Sequence, residues 1–225
     1  MDHVLDRPFW SALTTRQAHL AQGDARAWRF PSDIAAFAAA ADAGRDSTDA
    51  LAALAEPDGL ISLVEADPMP LPDGYAIELD IMLGQMIAGP IADAPAPFEA
   101  IALTETDAPE MIALAHLTKP GPFYARTHSL GRFIGVREEG RLIAMAGERL
   151  AVPGMREVSG VCTHPDHRGR GLAAALTRIV ARRIQDEGDI PFLHVVAGAE
   201  PTIRLYEGLG FRTRRALRYT ILRRG

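Results

Sequence analysis

Residues 163 to 173 read Thr-His-Pro-Asp-His-Arg-Gly-Arg-Gly-Leu-Ala, and residues of these types at this spacing can bind an anion. Gly169 and Gly171 allow the backbone to approach a ligand closely. The amides from Gly169 to Ala173 are left free where the next helix begins, because the first turn of a helix has no internal acceptors for its N–H groups. Those amides and the positive helix end favour phosphate, and Arg168 and Arg170 add charged donors. The flanks supply the positioning elements. Arg156 to Cys162 has strand-like alternation, and Leu172, Leu176, Ile179, Val180 and Ile184 recur at helical spacing. His164-Pro165-Asp166 closes the strand, because proline cannot donate to a ladder.

Two familiar phosphate loops do not fit. A P-loop requires Lys and then Ser or Thr after its last glycine, where this chain has Leu172-Ala173; the dinucleotide fingerprint fails on spacing. The pattern that remains is Arg-x-x-Gly-x-Ala, Arg168 through Gly171 to Ala173, directly after a strand. It resembles the pyrophosphate-binding signature of the GNAT superfamily of acyl-coenzyme A dependent N-acetyltransferases. Further on, Leu205-Tyr206-Glu207-Gly208-Leu209-Gly210-Phe211 is similar to the family's Leu-Tyr-x-x-Leu-Gly-Phe segment, in which a short helix stops at glycine and a strand follows. The resemblance covers residues 98 to 225.

It implies an α/β fold with a mixed sheet, acetyl-coenzyme A as acyl donor, and direct attack by a primary amine in a ternary complex. Val161, Cys162 and Thr163 would orient the thioester through their main chain, and Arg168, Gly169, Arg170, Gly171, Leu172 and Ala173 would hold the pyrophosphate. Tyr206 falls where the family donates a proton to the leaving thiolate. Glu157 falls where some members place a general base; a solvated glutamate near pKa 4.3 is a poor base, so the role requires burial, or a water relay that delivers the proton. Phe123, Tyr124, Arg126 and His128 precede the hairpin, in a segment that commonly borders the acceptor, and Glu148 on the hairpin is a further acid-base candidate. Ala199 departs from the family, which often has Asn seven positions before the tyrosine. The contrasting reading is a regulatory module that binds coenzyme A without turnover.

No metal is expected, since His164 and His167 stand three apart in a proline turn without a further ligand cluster. Cys162 reads as a small buried residue, because an acyl-cysteine would need an activating base beside it.

The elements around the motif divide into two units, 1–92 and 98–225, about a linker at 93–97 that is rich in proline and small residues. The first unit is of unknown role, and a degenerate half of the same design is one reading of it. It carries a predicted helix over Trp10 to Leu20, a short strand Ala27 to Phe30, an alanine-rich helix from Ser32 or Asp33 to about Ala43, and strands at Leu60 to Glu65 and Tyr75 to Ala88. The second opens with a strand at Phe98 to Thr104 and a helix capped by Asp107. A hairpin follows at 132–150, and Phe211 to Arg223 forms a closing hairpin or edge strand.

Composition sets the remaining limits. At 225 residues, 48% hydrophobic and 24% charged, the chain can bury ordinary cores. No apolar run suits a membrane span, the start lacks a signal peptide, and the single cysteine agrees with a reducing compartment; a cytoplasmic protein, monomer or homodimer, is expected. Residues 156–225 carry 13 Arg against seven acids, a local +6 in a chain of net −5. The positive part holds the anion motif and would favour arrival of a phosphorylated ligand. With an acidic total and no basic run interleaved with aromatics, nucleic acid is not an expected partner, and the acceptor is a small-molecule or peptide amine.

Overall fold

The computed structural model describes residues 3–56, 58–93 and 98–225. The chain runs α1 (Pro8–Leu13), β1 (Gln22–Asp24), β2 (Ala27–Arg29), β3 (Ala38–Ala40), α2 (Arg45–Ala53), β4 (Leu60–Glu65) and β5 (Tyr75–Ala88). It continues with β6 (Ile101–Leu103), α3 (Ala108–Thr118), β7 (Phe133–Glu138), β8 (Arg141–Val152), β9 (Met155–Thr163), α4 (Leu172–Asp186), β10 (Ile190–Val196), α5 (Glu200–Gly208) and β11 (Phe211–Arg224). A small sheet is ordered β1-β2-β3, and the main mixed sheet of eight strands is ordered β4-β11-β5-β10-β9-β8-β7-β6.

The helix after the anion motif forms as its periodicity predicts. Leu172, Leu176, Val180 and Ile184 recur every four residues, and all are buried against one face of the main sheet, with Met86, Val158, Leu193 and Phe211. The opposite face is covered from the N-terminal side by Leu5, Phe9, Leu13, Phe30 and Phe37, which pack on Leu150, Phe192 and Leu217.

The centre of the sheet holds the feature that makes room for a ligand. β9 and β10, joined through α4, are parallel but pair only over Met155–Glu157 and Ile190–Phe192. Beyond Glu157 they part: β9 stays with β8, and β10 pairs instead with β5. A notch therefore opens between two strands of one sheet.

Three sequence expectations are corrected. The helix predicted over Trp10 to Leu20 ends at Leu13, where the Thr14 and Thr15 hydroxyls turn back and donate to the main-chain carbonyls of Trp10 and Ser11. The alanine-rich stretch expected to be helical is a turn followed by β3, because Ala38, Ala39 and Ala40 are needed as buried strand residues beside β2. Their intrinsic helix preference is the weaker effect. β11 is neither hairpin nor edge: it lies between β4 and β5.

Residues 94–97 of the expected linker lie outside the described residues. The strands on either side of it share one sheet, since β5 of the first span is bonded to β10 and β11 of the second. Among the described residues, no helix is long and apolar enough to cross a membrane.

Candidate active site

The notch leads into a cleft of about 460 Å³. Its floor is Val161, Cys162 and Thr163 at the end of β9, and one wall is the turn His167 to Gly171 with Leu172, Ala173 and Ala174. Thr202, Leu205 and Tyr206 of α5 form the facing wall, and Thr118 and Pro120 close a corner. All nine residues expected to hold the coenzyme are thus brought together with Tyr206.

Local backbone chemistry explains the wall. Gly169 and Gly171 have φ of +76° and +74°, left-handed values that an L-residue with a Cβ adopts only at a cost. Gly171 is the N-cap of α4, no side chain caps the helix, and its first turn holds no acidic residue. The first amide in it with an internal acceptor is that of Ala175, which donates to the Gly171 carbonyl. The amides of Leu172, Ala173 and Ala174 therefore lack capping partners at the positive end of a 15-residue helix.

The two arginines of the motif differ. Arg170 donates to Glu138 at 2.9 Å, whereas Arg168 has no acidic partner among the described residues. Arg168 is the one left to meet a phosphate. The neighbouring histidines have protein partners: His164 Nδ1 accepts from the Asp166 amide at 3.3 Å, and His167 Nδ1 lies 2.9 Å from Glu138.

The floor is shaped by a bulge. Ser159 pairs with Gly147 and Cys162 with Met145, so Gly160 and Val161 together face Ala146. Such an extra residue takes backbone groups out of the ladder and re-aims them. Glycine is required at 160, where φ is +63° and an added Cβ would lie 2.8 Å from the Phe133 ring.

Tyr206 and Cys162 differ in chemical readiness. Burial raises the Tyr206 phenol to about 12, and no described residue hydrogen-bonds its hydroxyl. It keeps its proton throughout the neutral range and is free to donate it. Burial likewise pushes the Cys162 thiol to about 11, against smaller opposing bonds to Thr118 and the Met145 main chain, so it is not a thiolate nucleophile.

The two glutamates do not join the cleft. Glu157 is 1% exposed and does not line the cleft. A bulge in β8 places Arg149 and Leu150 together opposite Glu157, and Arg149 grips the carboxylate through Nε at 2.8 Å and Nη2 at 2.6 Å. His194 Nδ1 lies 2.7 Å from the same carboxylate. Burial pushes the Glu157 pKa up, but Arg149 and then His194 outweigh it, and the group sits at about 2. A carboxylate so held is a poor base, which corrects the expectation that burial would make Glu157 basic.

The network continues. Gln85 donates from Nε2 to the Leu5 carbonyl at 2.9 Å and accepts at Oε1 from Arg214 at 2.8 Å, which fixes the amide's orientation. The second proton on Nε2 then points to His194 Nε2 at 3.1 Å, leaving Nδ1 as the donor to Glu157.

Glu148 is also spent. It is 3% exposed and bonds Arg132, Arg156 and Arg183 at 3.3, 3.1 and 2.6 Å. Arg183 is eleven residues after Leu172 on α4, about 17 Å along the axis from the anion end. Glu148 is thereby corrected from acid-base candidate to the centre of an ion-pair cluster.

Among the acceptor candidates, Phe123 is buried in an edge-to-face contact with Phe133 and lines a recess beside the cleft. Tyr124, half-buried, donates its amide to Thr127 Oγ1 at 2.7 Å, and burial raises its phenol pKa. Arg126 is exposed and pairs with Asp33 at 3.2 Å, and His128 lines neither cavity. Sequence reasoning missed Arg149 and His194. The hairpin register, which sets Arg149 across from Glu157, was the available signal for the first; the second has none, since β10 reads as a plain buried strand.

This architecture, a mixed sheet parted at two parallel strands with a helix N-terminus facing the notch, defines a class of acyl-group transferases. The FR47-like protein family model matches residues 133–220. A structure described as an acetyltransferase of the GNAT family from Novosphingobium aromaticivorans is similar at 45% identity and TM-score 0.93, over 100% of both chains. The chain belongs to the GNAT family and is an acyltransferase. A GCN5-related N-acetyltransferase from Kribbella flavida shares the fold at 20% identity and TM-score 0.63, covering 96% of this chain and 94% of its own. A GCN5-related N-acetyltransferase-like protein from Streptococcus suis does so at 17% and 0.56, covering 90% and 82%. A comparison with curated proteins returned no match.

Proposed function

We propose that the protein transfers an acetyl group from acetyl-coenzyme A to a primary amine. The observation that carries the reading is the meeting, on one cleft, of uncapped α4 amides and Arg168 with the unpaired Tyr206 phenol. Bound acetyl-coenzyme A supplies a thioester whose carbon–sulfur bond breaks as the amine forms an amide. Leu172, Ala173 and Ala174 hold the pyrophosphate through their amides, with Arg168 as charged donor. The re-aimed main chain at Val161 to Thr163 orients the thioester carbonyl, where fixed donors are worth several kcal/mol against developing charge. Tyr206 Oη delivers a proton to the departing sulfur. The attacking amine loses its proton to water, since the Glu157 carboxylate is held by Arg149 and His194 and that of Glu148 by three arginines.

Thermal unfolding with and without acetyl-coenzyme A tests the donor site. At about 100 times the Kd the ligand adds roughly 2.7 kcal/mol, a rise of about 5 to 11 °C for a chain of this size. Gly171→Asp should lose that rise, measured against its own unliganded Tm, because a carboxylate then faces the pyrophosphate. No rise in the wild type at millimolar ligand would overturn the reading.

A further inference from the structure

On the far side of the β9 bulge from the cleft lies a second, narrow recess of about 10 Å³, lined by Pro120, Phe123, Thr127, Phe133, Arg149, Ser159 and Gly160 among others. That is about the space a single water needs, so a carboxylate would place one oxygen in it with the rest of the group at its mouth. Pro120 borders both cavities, and consecutive residues divide them: Gly160 lines the recess and Val161 the cleft. A molecule with one end in the recess therefore stands next to the place where the thioester carbonyl is held. This inference rests on the transferase reading above and asks which amine is accepted.

The chemistry of the lining is one-sided. Phe123, Phe133, Pro120 and Gly160 offer no polar side chain. Thr127 Oγ1 is already used, donating to the Ile34 carbonyl and accepting from the Tyr124 amide, both at 2.7 Å. Ser159 has no side-chain partner among the described residues and adds one hydroxyl. Arg149 remains. Its Nε and Nη2 hold Glu157, its guanidinium carbon lies 5.8 and 5.4 Å from the Phe9 and Phe37 ring centroids, and its orientation is thereby fixed from two directions. Its Nη1 has no hydrogen-bond partner among the described residues. An arginine carries five N–H donors in a planar fork and can serve a carboxylate on each of two edges.

An ammonium placed in this recess would find no acid in its lining, and Glu157, the carboxylate bonded to Arg149, is consumed by Arg149 and His194. A carboxylate would find Arg149, which lines the recess and keeps one guanidinium nitrogen without a partner among the described residues. We propose that Arg149 is the specificity-determining residue of the acceptor side, and that the acceptor is an amine bearing a carboxylate in the same small molecule, of the amino-acid class. The carboxylate docks on the Nη1 edge in the recess, and the amine reaches past Gly160 toward the thioester. Polyamines, which carry only positive groups, are excluded by the same lining. The N-terminal span supplies Phe9 and Phe37, so it builds the acceptor site by holding Arg149 in place.

Thiol release from acetyl-coenzyme A tests this with two acceptor pools, the twenty free amino acids and the corresponding α-amides. The expected result is that the free-acid pool turns over about 10- to 100-fold faster, the worth of a charge-assisted contact, although the amide pool has more neutral amine at a given pH. Arg149→Lys should lose that preference mainly through a raised KM for the free acids, so that the ratio of free-acid to amide turnover falls toward one. Equal turnover of both pools by wild type, or an equal fall in both with Arg149→Lys, overturns the inference while leaving the transferase intact. If Arg149→Lys does not fold, the wild-type comparison alone decides. No thiol release from either pool, in protein whose Tm acetyl-coenzyme A raises, removes the amine-transferase reading and this inference with it.

Discussion

Replacing Glu157 with Gln separates a structural ion pair from a catalytic base. The carboxylate is 1% exposed, and the pair with Arg149 is closed by two bonds at 2.8 and 2.6 Å. Glutamine keeps the shape but leaves the Arg149 charge buried against a neutral group. Removing one member of a buried pair costs about 3 to 5 kcal/mol. The proton equilibrium gives a second route to the magnitude. Glu157 falls from 4.5 to about 2 on folding, which corresponds to about 3 kcal/mol at neutral pH. Because the folded-state value is the depressed one, this contribution is complete above the unfolded value and lost as pH falls from 4.5 toward 2. At 2 to 4 °C per kcal/mol, Glu157→Gln should lower Tm by roughly 6 to 20 °C at pH 7. Calorimetry across pH 7 to 2.5 should show the two proteins converge as the wild type loses its advantage. Stopped-flow turnover at 15 °C, well below either midpoint, should show kcat with an unchanged pH profile. A variant with unaltered Tm and kcat down 100-fold or more would refute the reasoning and restore Glu157 as the base.

Tyr206→Phe keeps the ring in its contact with Phe211 and removes only the hydroxyl, so kcat should fall roughly 10²-fold while the acetyl-coenzyme A thermal shift persists; full activity would exclude the acid role. With its phenol at about 12, Tyr206 should produce no alkaline limb in the wild-type rate below pH 10. Arg168→Ala should weaken acetyl-coenzyme A binding more than Arg170→Ala, which removes a side chain already paired with Glu138, and titration calorimetry at two salt concentrations compares them. Cys162→Ala should retain turnover, and wild-type Cys162 should resist iodoacetamide at pH 8, since its thiol lies at about 11.

The cleft was legible in the sequence because its chemistry is local. Arg168 to Ala173, with the strand before and helix after, is one continuous stretch, and Leu205 to Phe211 is another. What was hidden depends on residues far apart in the chain. Glu157 looks like a base until Arg149 and His194, 8 and 37 residues away, arrive at its carboxylate. Glu148 looks exposed on a strand until Arg183, 35 residues on, reaches it from α4. The residue pattern of β4 and β5 marks them as strands, but nothing in it says that β5 will sit between β10 and β11. The alanines of β3 misled for the opposite reason: their local preference is clear, and burial beside β2 overrides it.

The position of β5 also bears on synthesis. Its two neighbours are β10 and β11, which leave the ribosome well after it, and Tyr75 must find Arg224 across 149 residues. Roughly 140 residues separate the end of β5 from the end of β11, so at 5 to 20 residues per second the strand waits about 7 to 28 s without its partners. During that time Ile77, Leu79, Ile81 and Leu83 stand at alternate positions, a pattern prone to pairing with another nascent chain. Glu78 and Asp80, set among them, act as gatekeepers that repel like strands. When β11 emerges, the same two acids receive Arg223 and Arg218, so the charges that keep the strand apart early become its ion pairs once the sheet closes.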